Sequence, residues 1–528
     1  MLRKSIFVKA VIYDGEEYVK SMELLLGIDL GTSGAKTVLF DVDGAPIASH
    51  TAEYPLYQPR NGWAEQDPHD WWRAVRETIR AVLDKSGTNP ADIRGIGLSG
   101  QMHGLVMLDA QGHVQRSAIL WCDGRTQAQC DEITETVGRE RLISITANPA
   151  LPGFTAGKIL WVREHEPEIF EKCRRILLPK DYIRYKLTGE FAAEVSDASG
   201  MNLLDVPNRR WSGEVLSALG IDPDLLGRMY ESCEVTGRVT AQAAEATGLA
   251  PGTPVVGGAG DNAAAAIGTG VVETGKAFTT LGTSGVIFAH ADQVTIDPQG
   301  RVHTFCSAVP GAWTVMSCTL AAGLSLQWFR NQFCAAEREA AAAMGRDPYE
   351  LMTEEAARSP IGANRLIYLP YLMGERSPLL DSDARGAFIG LSAIHTKGDL
   401  IRAVLEGVAY SQRQCLDVFR EMGVDVSDMA ACGGGGRSPF WRQMLADLYG
   451  CPVKTIASDQ GPALGAAILA GVGAGVYSSV AQGCEAAVRI GETQRPDRLA
   501  GAAYEPYYQL YRSLYPALRD SFHTLAQQ

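Results

Sequence analysis

Two stretches of identical sequence could hold phosphate. Leu-Gly-Thr-Ser-Gly occurs at residues 30–34 and again at residues 281–285, about half the chain apart. Glycine lets the backbone approach a ligand closely, and the amides and hydroxyls of a tight turn can converge on phosphate oxygens. Each stretch lies between two short apolar runs, which predicts a β-hairpin. One such turn is equally compatible with a structural hairpin, but two copies indicate a duplicated domain.

Two aspartates could supply the charge that phosphate chemistry needs. Asp29 precedes the first turn, where a carboxylate could hold Mg²⁺ directly or through water. The alternative for Asp29 is a solvated side chain at a strand end. Asp261 follows the small residues 257–260, so no bulky side chain blocks a ligand, and it could accept a proton from an attacking alcohol. The alternative for Asp261 is a helix N-cap, and the two roles are compatible.

A third glycine-rich segment, residues 433–436, lies between a predicted strand and a predicted helix and is typical of a nucleotide loop. It fits the dinucleotide motif G-x-G-x-x-G poorly, because the third glycine position falls on Ser438. No acid stands about 20 residues further on, where a ribose partner is expected. The pattern therefore disfavours a Rossmann dehydrogenase.

Alternating strands and helices position these groups, which predicts an α/β protein. Strands are predicted at 93–98, 254–256 and 429–432. Asp67 is predicted to cap a helix that starts at Pro68 and has Trp72 on its buried face. Asp399 is predicted to cap a long helix ending at Met422. The uncharged segment 460–484 is expected to form a buried Ala/Gly helix, since its glycines and polar residues are unsuited to a membrane span.

Composition narrows the class of protein. The 528 residues are 46% hydrophobic and 21% charged, as in ordinary globular proteins. The net charge of −13 disfavours a nonspecific nucleic-acid binder, although backbone amides can still bind an anion. The 11 cysteines lack C-x-x-C spacing and the 9 histidines lack H-E-x-x-H spacing. We therefore expect reduced thiols in a cytoplasmic protein and no zinc site. The first residues resemble a signal peptide poorly.

Several separate motifs make the chain resemble the FGGY family of carbohydrate kinases. They are residues 27–34, 153–161, 370–378, 386–391 with 399–406, and 433–437. The resemblance runs from about residue 24 to about residue 515. It implies two duplicated domains of the actin/hexokinase/Hsp70-like (ribonuclease H-like) fold, with the active site in the cleft between them.

The same resemblance divides the chain. Residues 24–270 are expected to form the N-terminal, sugar-binding domain, and residues 271–528 the C-terminal, ATP-binding domain. The boundary falls in the glycine-rich stretch 268–275. Residues 1–23 form an N-terminal extension whose role the sequence leaves open.

Within the family, three stretches resemble the branch that acts on D-xylulose. They are residues 63–68 with 71–72, residues 100–104 and residues 178–182. Gly-Gln-Met-His-Gly at 100–104 is the most telling, because this loop binds the sugar in that branch. By resemblance, Met102 and His103 touch the sugar. A neutral imidazole, which can both donate and accept a hydrogen bond, suits a neutral pentulose.

The resemblance assigns roles to individual residues. Asp261 is the catalytic base, and Asp29 is the Mg²⁺ site and the second catalytic residue. The sugar is bound by Gln101, Met102, His103, Asp261 and Asn262. ATP and its phosphates are bound by Gly31, Thr32, Ser33, Gly282, Thr283, Ser284, Gly434, Gly435, Gly436 and Arg437. The partners implied are a small-molecule sugar and ATP, without nucleic acid or membrane, and the family is compatible with a homodimer.

The implied reaction is ATP-dependent phosphorylation of D-xylulose to D-xylulose 5-phosphate, a step of xylose catabolism that feeds the pentose phosphate pathway. Two alternatives stay open at the level of sequence. One is a kinase for another ketose or a polyol, such as ribulose. The other is a noncatalytic actin-like nucleotide-binding module. ADP release with and without a panel of sugars distinguishes all three.

Overall fold

The computed structural model describes residues 11–13, 16–18, 23–458 and 460–527. The predicted extension, residues 1–23, lies largely outside the described residues. Its described part pairs as a short antiparallel hairpin.

The first half of the chain contains the following strands and helices. The strands are β1 (Val11–Tyr13), β2 (Glu16–Tyr18), β3 (Leu24–Leu30), β4 (Gly34–Asp41), β5 (Pro46–Glu53), β6 (Glu65–Gln66), β7 (Ile93–Gly100), β8 (Val106–Leu108), β9 (Ala118–Ile119), β10 (Arg175–Leu177), β11 (Ala192–Glu194), β12 (Leu204–Asp205), β13 (Arg210–Trp211), β14 (Arg228–Tyr230), β15 (Val235–Arg238), β16 (Pro254–Val256) and β17 (Ala259–Gly260). The helices are α1 (Pro68–Ser86), α2 (Gln127–Val137), α3 (Arg139–Thr146), α4 (Thr155–His165), α5 (Pro167–Lys172), α6 (Pro179–Thr188), α7 (Val195–Ala198), α8 (Gly213–Leu219), α9 (Ala241–Thr247) and α10 (Asp261–Gly268).

The second half continues the same alternation. The strands are β18 (Gly275–Leu281), β19 (Gly285–Ala291), β20 (His303–Cys306), β21 (Trp313–Thr319), β22 (Ile367–Leu369), β23 (Ala387–Ile389), β24 (Val426–Cys432), β25 (Val453–Ile456) and β26 (Ile490–Gln494). The helices are α11 (Gly323–Phe333), α12 (Ala335–Met344), α13 (Pro348–Ala356), α14 (Lys397–Glu421), α15 (Pro439–Tyr449), α16 (Gly461–Gly473), α17 (Val480–Ala487) and α18 (Arg498–Ala526).

Two seven-stranded sheets repeat one topology. The first has the order β15-β16-β7-β3-β4-β5 with β17 paired to β7, and the second has the order β20-β21-β19-β18-β24-β25-β26. In each sheet an antiparallel hairpin, β3/β4 or β18/β19, is followed by a parallel partner, β7 or β24. The next parallel strand is β16 in the first sheet and β25 in the second. The predicted duplication and the two-domain α/β fold are therefore confirmed.

Both Leu-Gly-Thr-Ser-Gly stretches form the predicted hairpin turns. Residues 31–33 join β3 to β4, and residues 282–284 join β18 to β19. The apolar residues on either side of each turn are buried in the two sheets. The turns therefore lie at equivalent positions, at the ends of equivalent strands.

Two helix predictions need correction in detail. Asp67 caps α1, but the fully buried tryptophan of that helix is Trp71, and Trp72 is only half-buried. Helix α14 is capped by Thr396, whose hydroxyl accepts from the amide of Asp399, while the Asp399 carboxylate accepts from the Thr396 amide. Asp399 is thus the third helical residue of a capping box rather than the cap. Both threonine and aspartate favour helix starts, so the sequence alone did not separate them.

The uncharged segment predicted as one buried helix forms two, α16 and α17. Helix α16 packs against β3 and β7 of the first sheet and against α10. Its backbone comes so close that a Cβ on Gly97 would lie 1.9 Å from the Ala466 carbonyl oxygen, and one on Gly27 would lie 2.0 Å from that of Ala463. A shared apolar core joins α10, α16 and α17 to residues of both sheets. Helix α16 is therefore part of the apolar core that joins the two halves of the chain.

None of the described helices is both long enough and apolar enough to cross a membrane.

Candidate active site

Three neighbouring parallel strands bring the predicted catalytic groups to one edge of the first sheet. In the register of the sheet, Asp29 of β3 pairs with Ser99 of β7, and Ser99 pairs with Ala259 of β17. One residue further, Gly260 pairs with Gly100, so Gln101 and Asp261 both leave the sheet at its carboxyl edge. In open α/β sheets ligands bind at this edge. Asp29, Gln101 and Asp261 are thus brought together by topology.

Asp261 is the first residue of α10 and does not cap it. Gly260 is the cap residue, and no side chain accepts the capping hydrogen bond. The Asp261 carboxylate instead accepts from the Asn262 amide at 2.7 Å and from its side chain at 3.0 Å. Burial and, secondarily, the charge of Asp29 raise the pKa of Asp261 to about 7. A carboxylate with this pKa is suited to accept a proton near neutral pH.

Asp29, like Asp261, is half-buried, and burial raises its pKa. The Ser99 hydroxyl donates to one carboxylate oxygen at 2.8 Å, and this hydrogen bond and the charge of Lys36 act in the opposite direction. Among the described residues, no lysine or arginine forms an ion pair with Asp29 or Asp261. Two half-buried carboxylates with so little compensating charge fit a divalent cation, which prefers oxygen ligands.

The first turn leaves part of its backbone open. The Gly31 amide donates to the Gly34 carbonyl at 3.0 Å, so it is used inside the turn. The amides of Thr32 and Ser33 make no hydrogen bond with any described residue. The Trp121 indole donates to the Thr32 hydroxyl at 3.1 Å, although Trp121 itself is largely exposed. The open amides of the turn are therefore those of Thr32 and Ser33.

A buried glutamine that the sequence analysis gave no role holds this turn to the sugar loop. The Gln66 side chain donates to the Thr32 carbonyl at 2.7 Å and accepts from Gln101 at 2.9 Å and from the Trp71 indole at 3.0 Å. The Gln101 amide also donates to the Gly31 carbonyl, at 3.4 Å. Its other atom, Oε1, is buried and has no partner among the described residues. The signal available was the position of Gln66 in the stretch 63–68.

The predicted sugar loop folds against α4 and the loop before it. A Cβ on Gly260 would lie 2.8 Å from the Met102 side chain, so Met102 covers the backbone beside Asp261. The His103 ring packs on Phe154 with a centroid distance of 4.7 Å. The Lys158 ammonium, fully buried, donates to the His103 carbonyl at 2.8 Å. Phe154 and Lys158 lie in a quoted family motif, but the sequence did not reveal that they support this loop.

A buried cluster of charged side chains supports the loop before Asp261. Its members are Lys180, Asp181, Arg184, Glu194 and Asp197. Arg184 donates to the Gly257 carbonyl at 2.7 Å. Glu194 accepts from the Ser196 hydroxyl at 2.9 Å, and that hydroxyl accepts from the Gly260 amide at 3.2 Å. These bonds fix the chain on both sides of the small-residue loop that precedes Asp261.

The second turn borders a cavity in the second half of the chain. This cavity has a volume of about 820 Å³, within the range of ligand pockets, roughly 300–1,000 Å³. Of the predicted ATP-binding residues, the following line it: Gly282, Thr283, Gly434, Gly435 and Arg437. Its other walls come from α11, the start of α15 and the region of α13. The second turn follows β18 and the segment 433–436 follows β24. Because these two strands are parallel neighbours, the two loops lie at the same edge of the sheet.

Two predicted ATP-binding residues lie beside the cavity rather than on its lining. The Ser284 side chain lies beside Cys318 of β21. Gly436 is buried against the end of β24, and its carbonyl accepts from Arg442 at 2.8 Å. The Gly282 amide is also used inside its turn, donating to the Ser284 carbonyl at 3.1 Å. The amides of Thr283 and Ser284 make no hydrogen bond with a described residue.

Gly433 shows why the segment 433–436 is rich in glycine. Its φ of +76° is disfavoured for residues with a side chain, and a Cβ there would lie 3.2 Å from the Leu281 carbonyl. The loop therefore lies directly on the second turn. No hydrogen bond or ion pair between described residues joins the second turn to the first.

Comparison with known proteins agrees with this architecture. Residues 24–268 match the N-terminal domain of the FGGY family of carbohydrate kinases, and residues 277–474 match its C-terminal domain. A xylulose kinase from Escherichia coli K12 is 40% identical over 496 residues, which are 94% of this chain and 99% of that protein. A gluconokinase from Bacillus licheniformis is 32% identical over 506 residues, 95% of this chain and 97% of that protein.

A solved structure agrees at the level of the whole fold. The crystal structure of xylulose kinase from Rhodospirillum rubrum superposes with a TM-score of 0.88 at 31% identity, covering 95% of this chain and 100% of that one. Both domains, their order and nearly the full length are thus shared. The protein belongs to the FGGY family of carbohydrate kinases and is an ATP-dependent sugar kinase.

Proposed function

We propose that this protein transfers the γ-phosphoryl group of ATP to the terminal hydroxyl of D-xylulose. The hydroxyl oxygen forms a bond to the γ-phosphorus, the bond from that phosphorus to the β,γ-bridging oxygen breaks, and the products are D-xylulose 5-phosphate and ADP. The hydroxyl proton passes to Asp261. Phosphoryl transfer depends on positioning and charge neutralisation more than on covalent chemistry, so each part of the site has one of those tasks.

The position and environment of Asp261 carry the proposal. The carboxylate lies at the carboxyl edge of the sheet beside Gln101 and Asp29, and burial raises its pKa to about 7. It is therefore a stronger proton acceptor than an exposed aspartate. A general base of this kind contributes roughly 10²–10⁴-fold to the rate.

The sugar loop provides groups suited to an uncharged polyol. The buried Oε1 of Gln101 has no hydrogen-bond partner among the described residues and can accept a hydrogen bond from a sugar hydroxyl. Met102 supplies an apolar surface next to Asp261, and Asn262 lies beside the base. A buried acceptor without a partner is costly unless a ligand satisfies it, which supports binding here.

ATP occupies the cavity of the second half in this proposal. The amides of Thr283 and Ser284 are open to phosphate oxygens, and Arg437 and the glycine loop line the nucleoside end. The open amides of Thr32 and Ser33 meet the γ-phosphoryl group when the domains close, which also excludes water. Asp29 would hold Mg²⁺, directly or through water, and this ion supplies neutralisation of the phosphate charge. In this proposal the boundary between the sugar-binding domain and the ATP-binding domain lies between residues 270 and 271.

An assay of ADP release with a panel of sugars tests the function. D-xylulose is expected to stimulate ADP release far above the rate without sugar, with kcat/KM at least about 10-fold higher than for D-ribulose, D-gluconate or glycerol. If the protein prefers another sugar of the panel, that sugar and not D-xylulose is the substrate. ADP release that ignores every sugar would contradict the proposal as a whole.

A further inference from the structure

The segment 433–436 has little structure of its own. It consists of four consecutive glycines, and two of them, Gly433 and Gly434, are exposed. Two backbone hydrogen bonds of 3.2 Å, from the amides of Arg437 and Ser438 to the carbonyls three residues earlier, close a single turn. Glycine loses more conformational freedom on ordering than any other residue. The segment therefore needs contacts from other elements to keep one conformation.

The Arg442 side chain of α15 supplies such contacts. Its Nη1 donates to the carbonyl of Gly436 and to that of Arg437, each at 2.8 Å. The side chain is 2% exposed, and the planar guanidinium presents its donors in a fixed fork. A single rigid group thus fixes two successive carbonyls where the segment ends.

The Arg442 guanidinium is itself fixed by β26. Its Nε donates to the Gln494 side chain at 2.8 Å, and its Nη2 donates to the Glu492 carboxylate. Strand β26 lies at one end of the second sheet, and neither Gln494 nor Glu492 lines the cavity described above. Arg442 therefore ties the segment 433–436 to a strand that lies outside this cavity.

The segment 433–436 in turn forms a wall of the cavity. Gly434 and Gly435 line it, and a Cβ on Gly435 would lie 2.7 Å from the side chains of Leu281 and Trp441. Because the space between those two side chains holds no Cβ, the segment passes between them in close contact. The position of the segment therefore determines the shape of the cavity on this side.

We infer that Arg442 is a positioning residue for the nucleotide, which it serves by holding the segment 433–436 in its binding conformation before the nucleotide arrives. The inference rests on the proposed function, which places ATP in this cavity. A site that is already ordered loses no affinity to the ordering of its own loop. Removal of Arg442 should therefore lower the affinity for nucleotide, although Arg442 acts only through the loop.

Arg442→Met tests this by calorimetric titration with ADP and Mg²⁺ in the absence of sugar. We expect the Kd for ADP to rise at least about 10-fold, because hydrogen bonds from a charged group to the loop are lost. The KM for ATP should rise in parallel, while kcat at saturating ATP stays within about 3-fold of the wild type. Arg420→Met is the matched control, because Arg420 donates to a carbonyl at the other end of α15, that of Tyr449. An unchanged Kd in Arg442→Met, or an equal rise in both variants, would overturn the inference.

Hydrogen exchange measures the order of the loop directly. In the protein without nucleotide, the peptide that covers residues 433–438 should exchange faster in Arg442→Met than in the wild type or in Arg420→Met. Addition of ADP should slow this exchange again. Faster exchange throughout the second half of the chain would show a general loss of stability and would contradict a positioning role.

Gln494→Leu tests the same role without a change at Arg442. The Gln494 side chain contacts Arg442 and not the loop, so its loss should raise the Kd for ADP roughly 3-fold by freeing the guanidinium. The same substitution in Arg442→Met should have no further effect, since the group through which it acts is gone. An equal effect of Gln494→Leu in both backgrounds would exclude Arg442 as the link.

Gly434→Val separates this inference from the placement of ATP, because its side chain would enter the cavity. If neither Gly434→Val nor Arg442→Met changes the Kd for ADP, the nucleotide binds elsewhere and the placement fails. If Gly434→Val alone raises it, the cavity holds the nucleotide and only the inference about Arg442 fails. Neither result depends on which sugar the enzyme phosphorylates.

Discussion

Asp261 and Asp29 lie at the same edge of the first sheet, and the charge on Asp29 adds to the larger effect of burial in raising the pKa of Asp261 to about 7. Asp29 lies on β3 and Asp261 directly follows β17, and one strand, β7, lies between these two strands. Their proximity makes one a stronger base and leaves the pair able to accept a cation.

The pH dependence of turnover should report Asp261. The carboxylate accepts a proton only when it is ionised, so kcat/KM for the sugar should rise with pH and level off above about 7, the pKa of this group. An aspartate with an ordinary pKa near 4 would give a profile that is flat from pH 5 upward. A measured profile of that flat kind would show that Asp261 does not limit the reaction as a base.

Asp261→Asn should lower kcat roughly 10²–10⁴-fold, because the amide cannot accept the proton. The same variant should be more stable than the wild type at pH 8. A raised pKa in the folded state means that folding disfavours the ionised form, so the stability that the neutral form contributes is lost as pH rises through about 7. Thermal unfolding at pH 8 and at pH 5 checks this, since the advantage of the asparagine variant should shrink at the lower pH.

Gly434→Val should block the nucleotide cavity without disturbing the fold. Gly434 lines the cavity, has helical dihedral angles (φ −61°, ψ −43°), and has nothing within 4 Å of a Cβ. The added side chain therefore takes up ligand space, and the KM for ATP should rise at least about 10-fold, which corresponds to about 1.4 kcal/mol. Gly213→Val, also in open space but on α8, is the control for the substitution itself. Equal KM values for ATP in the two variants would place the nucleotide elsewhere.

Gln66→Leu should loosen the first turn and the sugar loop together. It leaves the Trp71 indole, the Gln101 amide and the Thr32 carbonyl without their partner, and a buried polar group left unpaired costs roughly 1–3 kcal/mol. We expect a lower melting temperature and a higher KM for the sugar. Gln127→Leu, which removes only an exposed hydrogen bond to Asp131, should change neither. If the KM for the sugar stays constant in Gln66→Leu, the hydrogen bonds of Gln66 do not support sugar binding.

Gly97→Ala tests the contact between β7 and α16. The new Cβ would lie 1.9 Å from the Ala466 carbonyl oxygen, so the helix must move away from the sheet. Overpacking of this kind typically lowers the free energy of unfolding by about 1–3 kcal/mol. Urea unfolding measures the loss, with Gly213→Ala as a control in which the Cβ meets nothing. Identical unfolding curves for the two variants would mean that α16 does not depend on this glycine.

Local features of the chain were predictable because they depend on neighbours in sequence. The two Gly-Thr-Ser-Gly turns, the Asp67 cap with Pro68 and the strand before Asp261 all follow from backbone preferences within a few residues. The cap of α14 was assigned to Asp399 instead of Thr396, since both residue types satisfy an open amide and only the chain geometry decides between them. The hydrogen-bond partners of the Gln66 side chain were not predictable either, because the sequence around a polar residue before a helix does not indicate which groups it contacts.

By itself, the sequence determined where the strands end and which small or acidic residues follow them, because these depend on local propensity and turn chemistry. The tertiary structure alone decided what each of those residues meets. Gly27 and Gly97 are required by α16, which lies more than 360 positions further along the chain and presents its backbone carbonyls to them. The hydrophobic pattern of a sequence indicates that a residue is buried, but not which residues surround it. Long-range packing determines those neighbours, and it places Asp29, Gln101 and Asp261 at one edge of the sheet.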